Sequence, residues 1–287
     1  MKYYVPEYYS LFKCTASLCA HTCCRGWEID IDDDAMRRFG SVTGPFGERI
    51  RSSIAVSPEG ASFVLKEDES CPFLRTDGLC DMILALGEDS LCQICRDHPR
   101  FRSFFGAREE TGLGLCCEAA AELILNYPHA PALILTNDDG YEDGPCDGEE
   151  ELLSRRASLM QNMPERMEID YAEAKKLLLG LERLDDKWTE MLSCLISEEK
   201  CDVPASKLQR LWEYLLFHHL PEALDSDFSI EEHEKFCRFS LEIIRKIAAS
   251  SGLSLEETAR IWSSEIEYSD ENISIIMDAL KPLSQLR

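Results

Sequence analysis

Apolar and polar positions alternate early in the chain and take up a helical period later. Trp27, Ile29 and Ile31 alternate with Glu28, Asp30 and Asp32, which predicts a short half-buried strand. Residues 61–66, Ala-Ser-Phe-Val-Leu-Lys, predict another. The run Asp32-Asp33-Asp34 predicts the cap of a helix beginning near Ala35. A calcium loop opening at Asp30 would need Gly where Ala35 stands and Glu where Ser41 stands, so that reading fails. Residues 81–86 and 118–125 carry helical spacing. The stretch from Asn137 to Pro145 is rich in breakers and acids and predicts a linker or long loop that ends the cysteine-rich part. Beyond it the pattern is helical throughout. Leu208, Leu211, Trp212, Leu215 and Leu216 form a stripe that Pro221 ends. Ser229 with Glu232, and Ser254 with Glu257, have the spacing of capping boxes. Asp270 is expected to cap a last helix carrying Ile273, Ile276, Met277 and Leu280.

The fold class this predicts is mainly α with a small β component, an α+β arrangement. A cysteine-rich metal-binding domain is expected over residues 1–136, and an all-helical domain over residues 147–287. Composition agrees: 45% of the 287 residues are hydrophobic and 29% charged, which excludes a disordered chain. At this length a core forms without a metal to staple it.

Charge narrows the partners. The net charge is −24, and both halves share it, with 24 acidic and 13 basic side chains in residues 1–146 and 30 and 17 in residues 147–287. No cluster of Lys and Arg is present to neutralise phosphates, so neither a nucleic acid nor an anionic membrane surface is expected as a partner. A lysine-bearing protein surface is electrostatically favoured. No uncharged apolar run approaches the ~20 residues that span a bilayer. Pro6 and Glu7 stand where a signal peptide would place its apolar stretch, so a cytoplasmic location is expected.

The cysteines change the picture most. Ten of 14 fall in the first 117 residues, a crowding that scatter does not produce. In a reducing compartment this points away from disulfides and toward metal or redox chemistry. One group reads Cys14-x4-Cys19-x3-Cys23-Cys24, and a second Cys71-Pro-x7-Cys80-x11-Cys92-x2-Cys95, followed by Cys116-Cys117. Cys92-x2-Cys95 is the short loop through which two thiolates reach one ion while amides donate to the sulfurs. Neither group closes a site with its own spacing, so the two are expected to meet in space. Two zinc ions, one zinc with one cluster, or one or two [4Fe–4S] clusters all fit the arithmetic. His21 and His98 lie near the thiols, but with thiolates in surplus both are left out of the ligand set. Cys146, Cys194, Cys201 and Cys237 are expected to be small buried apolar residues.

Tyr8-Tyr9-x2-Phe12-x-Cys14-x4-Cys19-x3-Cys23-Cys24-x-Gly26-Trp27-x-Ile29-x-Ile31-Asp32 resembles the start of the flagellin lysine-N-methylase family. So do Cys71-Pro72-Phe73-Leu74, Gly78-Leu79-Cys80-Asp81, Leu86-Gly87-Glu88, and Leu91-Cys92-x2-Cys95-Arg96-x2-Pro99-Arg100. The resemblance is continuous over roughly the first 125 residues; the helical remainder is similar in size and character only. It implies methylation of flagellin lysines, S-adenosylmethionine as methyl donor and an iron–sulfur cluster, [4Fe–4S] before zinc. It also implies kinship with a cysteine-rich group described as zinc- or iron-chelating. Cys117 takes the place of the family's last cysteine and completes the candidate ligands Cys14, Cys19, Cys23, Cys24, Cys71, Cys80, Cys92, Cys95 and Cys117. The family usually reads Ser-Cys-Pro-Glu-x2-Arg there. This chain has Cys116 for Ser, Ala119 for Glu and Glu122 for Arg.

Methyl transfer from a sulfonium to lysine is an in-line displacement that needs positioning and a neutral amine, and at pH 7 under about one free lysine in a thousand is neutral. Tyr8, Tyr9, Phe12 and Trp27 are candidates for an aromatic channel that would desolvate the amine, with packing around the cysteine core as the prior reading. Arg96 and Arg100 are candidates to hold the cofactor's carboxylate, against pairing with Asp97, Glu109 or Glu110. Glu110 matches a family position and is a candidate for a ribose or the substrate ammonium. No catalytic base is named by the sequence. The expected function is therefore a protein lysine N-methyltransferase. A non-enzymatic, iron–sulfur- or zinc-structured protein-binding module is the alternative, and a redox carrier a more distant one.

Overall fold

The computed structural model describes residues 1–58, 60–140 and 144–281. In chain order its elements begin with β1 (Lys2–Pro6), α1 (Asp33–Ser41), α2 (Gly44–Ser52), β2 (Ile54–Ser57), β3 (Gly60–Phe63), α3 (Asp81–Leu86) and α4 (Gln93–Asp97). Then come β4 (Arg100–Phe105), β5 (Arg108–Leu113), α5 (Glu118–Leu125) and β6 (Leu133–Asp138). Seven helices follow: α6 (Glu149–Met160), α7 (Tyr171–Leu179), α8 (Asp186–Leu192), α9 (Ala205–His219), α10 (Ile230–Ser251), α11 (Leu255–Trp262) and α12 (Asp270–Leu280). Helix accounts for 53% and strand for 13%, so the fold is mainly α with a small β component. Among the described residues no helix is long and apolar enough to cross a membrane.

The chain divides into two compact units, and the division does not fall at the breaker-rich stretch. One unit is Lys13–Pro99; the other is Met1–Phe12 with Arg100–Arg287. Strand pairing is the cause. β1 pairs in parallel with β5 and antiparallel with β6, so the first residues of the chain are built into a sheet with residues 100–138. The expected boundary between residues 136 and 147 is corrected accordingly. Tyr141–Asp143, within the expected linker, lie outside the described residues, while Asn137 and Asp138 belong to β6.

In the larger unit the sheet runs in the order β4-β5-β1-β6. β4 and β5 form a hairpin that turns at Gly106, whose φ of +54° suits a residue without Cβ. Gly112 pairs with Phe101 across this hairpin, and a Cβ there would come within 2.3 Å of the Phe101 ring. Leu113, Leu115 and the buried face of α5 share one core with Trp188, Trp212 and Trp262. Among the described residues from 147 onward every regular element is helical. Ser229 and Glu232 form the expected capping box of α10. Ser254 caps α11 by accepting from the Glu257 amide, and the Glu257 carboxylate pairs with Arg260. The last helix is capped by Ser269 rather than Asp270, which is its first residue.

In the cysteine-rich unit, Ile29, Ile31, Ala35, Phe39, Ile50, Phe63, Phe73 and Met82 form the core, with Cys71 and Cys92 buried among them. The alternation at 27–32 buries Ile29 and Ile31 as expected. It yields a single bridge, Asp30 to Ser62, in place of a full strand, and two hydrogen bonds flank that bridge alongside β3. The strand expected over 61–66 is the shorter β3. Asp32 caps α1 by accepting from the Ala35 amide, as its position predicts.

Candidate metal centre

Four turns carry the thiols of the cysteine-rich unit, and backbone pairing brings them together. Arg25 bridges Ser70, and the Cys71 amide donates to the Cys24 carbonyl at 2.8 Å. This pairing places the end of the first cysteine group beside the start of the second. From Cys71 the chain turns tightly, the Leu74 amide closing on the Cys71 carbonyl. It then folds back so that Leu74 bridges Cys80, the residue before α3. Cys92 likewise precedes α4, and its sulfur lies 3.4 Å from that of Cys95 one turn on. The two groups therefore meet where the Cys71 turn pairs with Cys24, and Cys71, Cys80 and Cys95 all lie close enough to Cys24 to feel its charge.

Charged side chains outside the thiols pin these turns. Arg49 of α2 donates to Asp81 and to the Pro72 carbonyl, both at 2.7 Å, so one guanidinium ties the Cys71 turn to the start of α3. Its plane lies 5.1 Å from the centre of the Phe73 ring. Arg38 of α1 donates to the Leu91 carbonyl at 2.9 Å. The second oxygen of Asp32 accepts the Gln93 amide at 2.6 Å, so one carboxylate caps α1 and holds the first residue of α4. Burial opposes its charge, but the Gln93 and Ala35 amides keep the Asp32 carboxyl below its ordinary value. Asp32 was legible as a cap of α1. Its reach to α4, and the parts played by Arg38 and Arg49, had no signal in the sequence because their partners lie on other elements.

The sulfurs perturb one another. A hydrogen bond from Cys23 brings the Cys24 thiol down to about 7 against the effect of burial. Burial pushes Cys71 up to about 11 and raises Cys80, and the charge of Cys24 adds to both. The contact with Cys95 lowers Cys92, while Cys95 is driven well up by Cys92, by burial and by the charges of Cys24 and Cys71. Amides of Phe73 and Leu74 favour the Cys71 thiolate, and those of Met82 and Ile83 the Cys80 thiolate. Crowded thiolates supplied with N–H donors suit a bound cation, and this donor set fits zinc or an iron–sulfur cluster.

Cys23 stands beside this group through its side-chain hydrogen bond to Cys24, while Cys14, Cys19 and Cys117 are placed differently. Cys14 is exposed, its sulfur accepting the Ala16 amide. The Cys19 thiol donates to the His21 carbonyl at 2.9 Å. The Cys23 carbonyl accepts the Trp27 indole N–H at 2.6 Å, and the Trp27 ring lies against His98. Cys117 belongs to the larger unit, where it precedes α5; the sulfur of its neighbour Cys116 is 3.1 Å from the Tyr268 hydroxyl, and burial raises the Cys116 thiol to about 12.

The residues expected at the methyl donor fall on both units. Arg96 lies on α4 of the cysteine-rich unit and Arg100 on β4 of the larger one. Arg100 donates to the Tyr9 hydroxyl at 2.9 Å, with the Tyr9 and Phe12 rings each 5.6 Å from its guanidinium. The role expected of Glu110 is corrected. It is wholly buried; Arg156 grips both its oxygens at 2.6 Å, and Arg108 takes one of them at 2.6 Å. A carboxylate held this way is a structural anion with no face left for a ribose or an ammonium. Tyr8 is buried edge-on against Tyr127 in the core of the larger unit, where the sequence had favoured packing around the cysteine core.

Over 141 residues the chain is 26% identical to the flagellar biosynthetic protein FliU of Salmonella muenchen, covering 45% of this chain and 79% of that protein. It is equally 26% identical over 141 residues to proteins named lysine-N-methylase from Salmonella typhimurium (strain LT2) and Salmonella choleraesuis. Those matches cover 45% of this chain but 33% of each methylase, so the shared region is about a third of their length. No family model matches the chain, and no solved structure matches it. The chain thus resembles the lysine-N-methylases, as the register of its cysteines implied.

Proposed function

We propose that this chain is a protein lysine N-methyltransferase acting on flagellin, with S-adenosylmethionine as methyl donor and an iron–sulfur cluster held by its cysteine-rich unit. The observation that carries this reading is the convergence of Cys24, Cys71, Cys80, Cys92 and Cys95 in a chain similar to lysine-N-methylases. Bound there, a cluster cross-links the four turns and contributes folding free energy to a unit with a small core. Zinc is the second candidate for the same thiolates.

The chain's own contribution to such a reaction is binding and orientation. Its net charge of −24 favours encounter with a lysine-bearing surface. The same field favours the ammonium over the reactive amine, so catalysis requires local desolvation of the lysine. S-Adenosylmethionine, where bound, supplies the electrophilic methyl group.

A non-enzymatic protein-binding module is the second reading. It draws on the short coverage of the methylases and on Ala119 and Glu122, which replace the family's Glu and Arg. One experiment separates the two. Anaerobically purified full-length protein is incubated with labelled S-adenosylmethionine and flagellin, and methyl-lysine is mapped by mass spectrometry. Methylated flagellin lysines are expected, with activity falling as salt rises. Folded, metal-loaded protein that methylates neither flagellin nor other cytosolic proteins would leave the binding module in its place.

A further inference from the structure

The larger unit holds a second convergence of ligating side chains. α9 ends on His218 and His219, and the π turn Ser263–Glu267 after α11 carries Glu267 to them. One ligand atom from each of the three lies within 4.8 Å of the others. His219 Nε2 is 3.3 Å from Glu267 Oε1, and His218 Nδ1 is 3.7 Å from Oε2. The side chains of His219 and Glu267 are both 0% exposed, so water does not solvate this polar group.

We propose that His218 Nδ1, His219 Nε2 and the Glu267 carboxylate bind one divalent first-row transition ion. Two imidazoles and a carboxylate are a donor set suited to such ions. The surroundings supply the outer contacts that a ligand set of this kind needs. Glu222 faces the far nitrogen of His219 at 3.5 Å, and that buried Nδ1 has no hydrogen-bond partner. Glu267 Oε2 accepts from the hydroxyls of Tyr214 (2.7 Å) and Ser263. The Phe101 ring stacks on His218 at 3.9 Å and fixes its plane.

The rival explanation is a buried histidine–glutamate ion pair. One imidazolium would suffice for that, whereas here two rings face one carboxylate, His218 Nδ1 lying 3.2 Å from the Tyr214 hydroxyl and 3.7 Å from Glu267 Oε2, and a second carboxylate stands behind. π turns inside helical segments are uncommon and recur at functional sites, and this one sets the direction of Glu267.

The test uses full-length protein stripped with a chelator, loaded with Co2+ and desalted. Cobalt per chain is measured by elemental analysis, together with the visible spectrum and the thermal midpoint. Wild type is expected to hold one more cobalt than Glu267→Gln, and that ion should lack the sulfur-to-cobalt charge-transfer bands of the thiolate centre. Cys92→Ser should keep it. His218→Gln, at a position with 12% side-chain exposure, is the second variant should Glu267→Gln fail to fold, and it should also lose one cobalt. Co2+ should raise the midpoint of wild type more than that of either variant. Equal cobalt and equal midpoint shifts in wild type and folded His218→Gln would overturn the proposal and leave an ion pair. The readout is metal content and stability, so this failure is distinct from a failure of the methyltransferase reading.

Discussion

Arg156→Met tests whether Glu110 is a structural anion. Glu110 receives three charge-assisted hydrogen bonds, two from Arg156 and one from Arg108, all at 2.6 Å. Arg156 and Glu110 side chains are 4% and 1% exposed, so water does not replace what is removed. Each hydrogen bond to a charged group contributes about 1.5–3 kcal/mol, and breaking a buried ion pair costs about 3–5 kcal/mol. Arg108 remains on one oxygen, which places the expected loss near the lower end, about 3 kcal/mol. Arg108→Met should cost less, about 1–2 kcal/mol, since that side chain is 16% exposed and water can enter. The double variant Glu110→Met with Arg156→Met should recover most of the loss, because no charge of the pair is left uncompensated. Urea unfolding followed by tryptophan fluorescence is the assay, since buried Trp188, Trp212 and Trp262 all report on the larger unit. An Arg156→Met loss under about 1 kcal/mol, well below the range for a broken buried pair, would refute the reasoning. So would a double variant no more stable than the single one, and the ligand-facing reading of Glu110 would then return.

Gly112→Ala should destabilise the larger unit by about 1–3 kcal/mol, because its Cβ would lie 2.3 Å from Phe101 and 2.8 Å from Phe217; an unchanged thermal midpoint would mean that the rings move aside freely. Glu242 gives a pH dependence. Burial opposes its charge, but Arg245, Arg166 and Tyr171 hold its carboxyl below the ordinary 4.5, with Glu199 sharing the two arginines. A depressed carboxyl contributes stability that is present above 4.5 and is lost as pH falls toward its folded value. Glu242→Gln should therefore flatten the acid limb of stability below pH 4.5, and an acid limb identical to wild type would contradict this.

Local features of the fold were legible and non-local ones were not. Asp32, Ser229 and Ser254 announce helix starts because a cap is written within four residues. The bounds of α3 and α5 were readable from local helical spacing, with no side-chain cap at either start. β1 was not, because its partners begin more than a hundred residues away and Lys-Tyr-Tyr-Val-Pro shows no alternation. With β1 unseen, nothing marked Lys13 and Pro99 as junctions, and the change of composition near residue 140 stood in for a boundary. The thiol centre was visible through spacing, since chelation by a short loop is a local property. Glu110 was misread because its burial depends on Arg156, 46 residues on. His218, His219 and Glu267 carried no signal, because two adjacent histidines at a helix end look like ordinary C-terminal residues until the π turn supplies their carboxylate.

The central claim is that five of the eight thiols of the cysteine-rich unit, Cys24, Cys71, Cys80, Cys92 and Cys95, form one metal centre that carries an iron–sulfur cluster. Anaerobic purification of the full chain, with iron, sulfide and zinc analysis and a visible spectrum, tests it directly. A brown protein with iron, sulfide and broad absorption near ~400 nm is expected, and all three signals should vanish together in Cys92→Ser that remains soluble. Colourless protein holding zinc would contradict the cluster and keep the centre. Folded protein free of both metals, with Cys24, Cys71, Cys80, Cys92 and Cys95 all open to a thiol reagent, would contradict the centre itself.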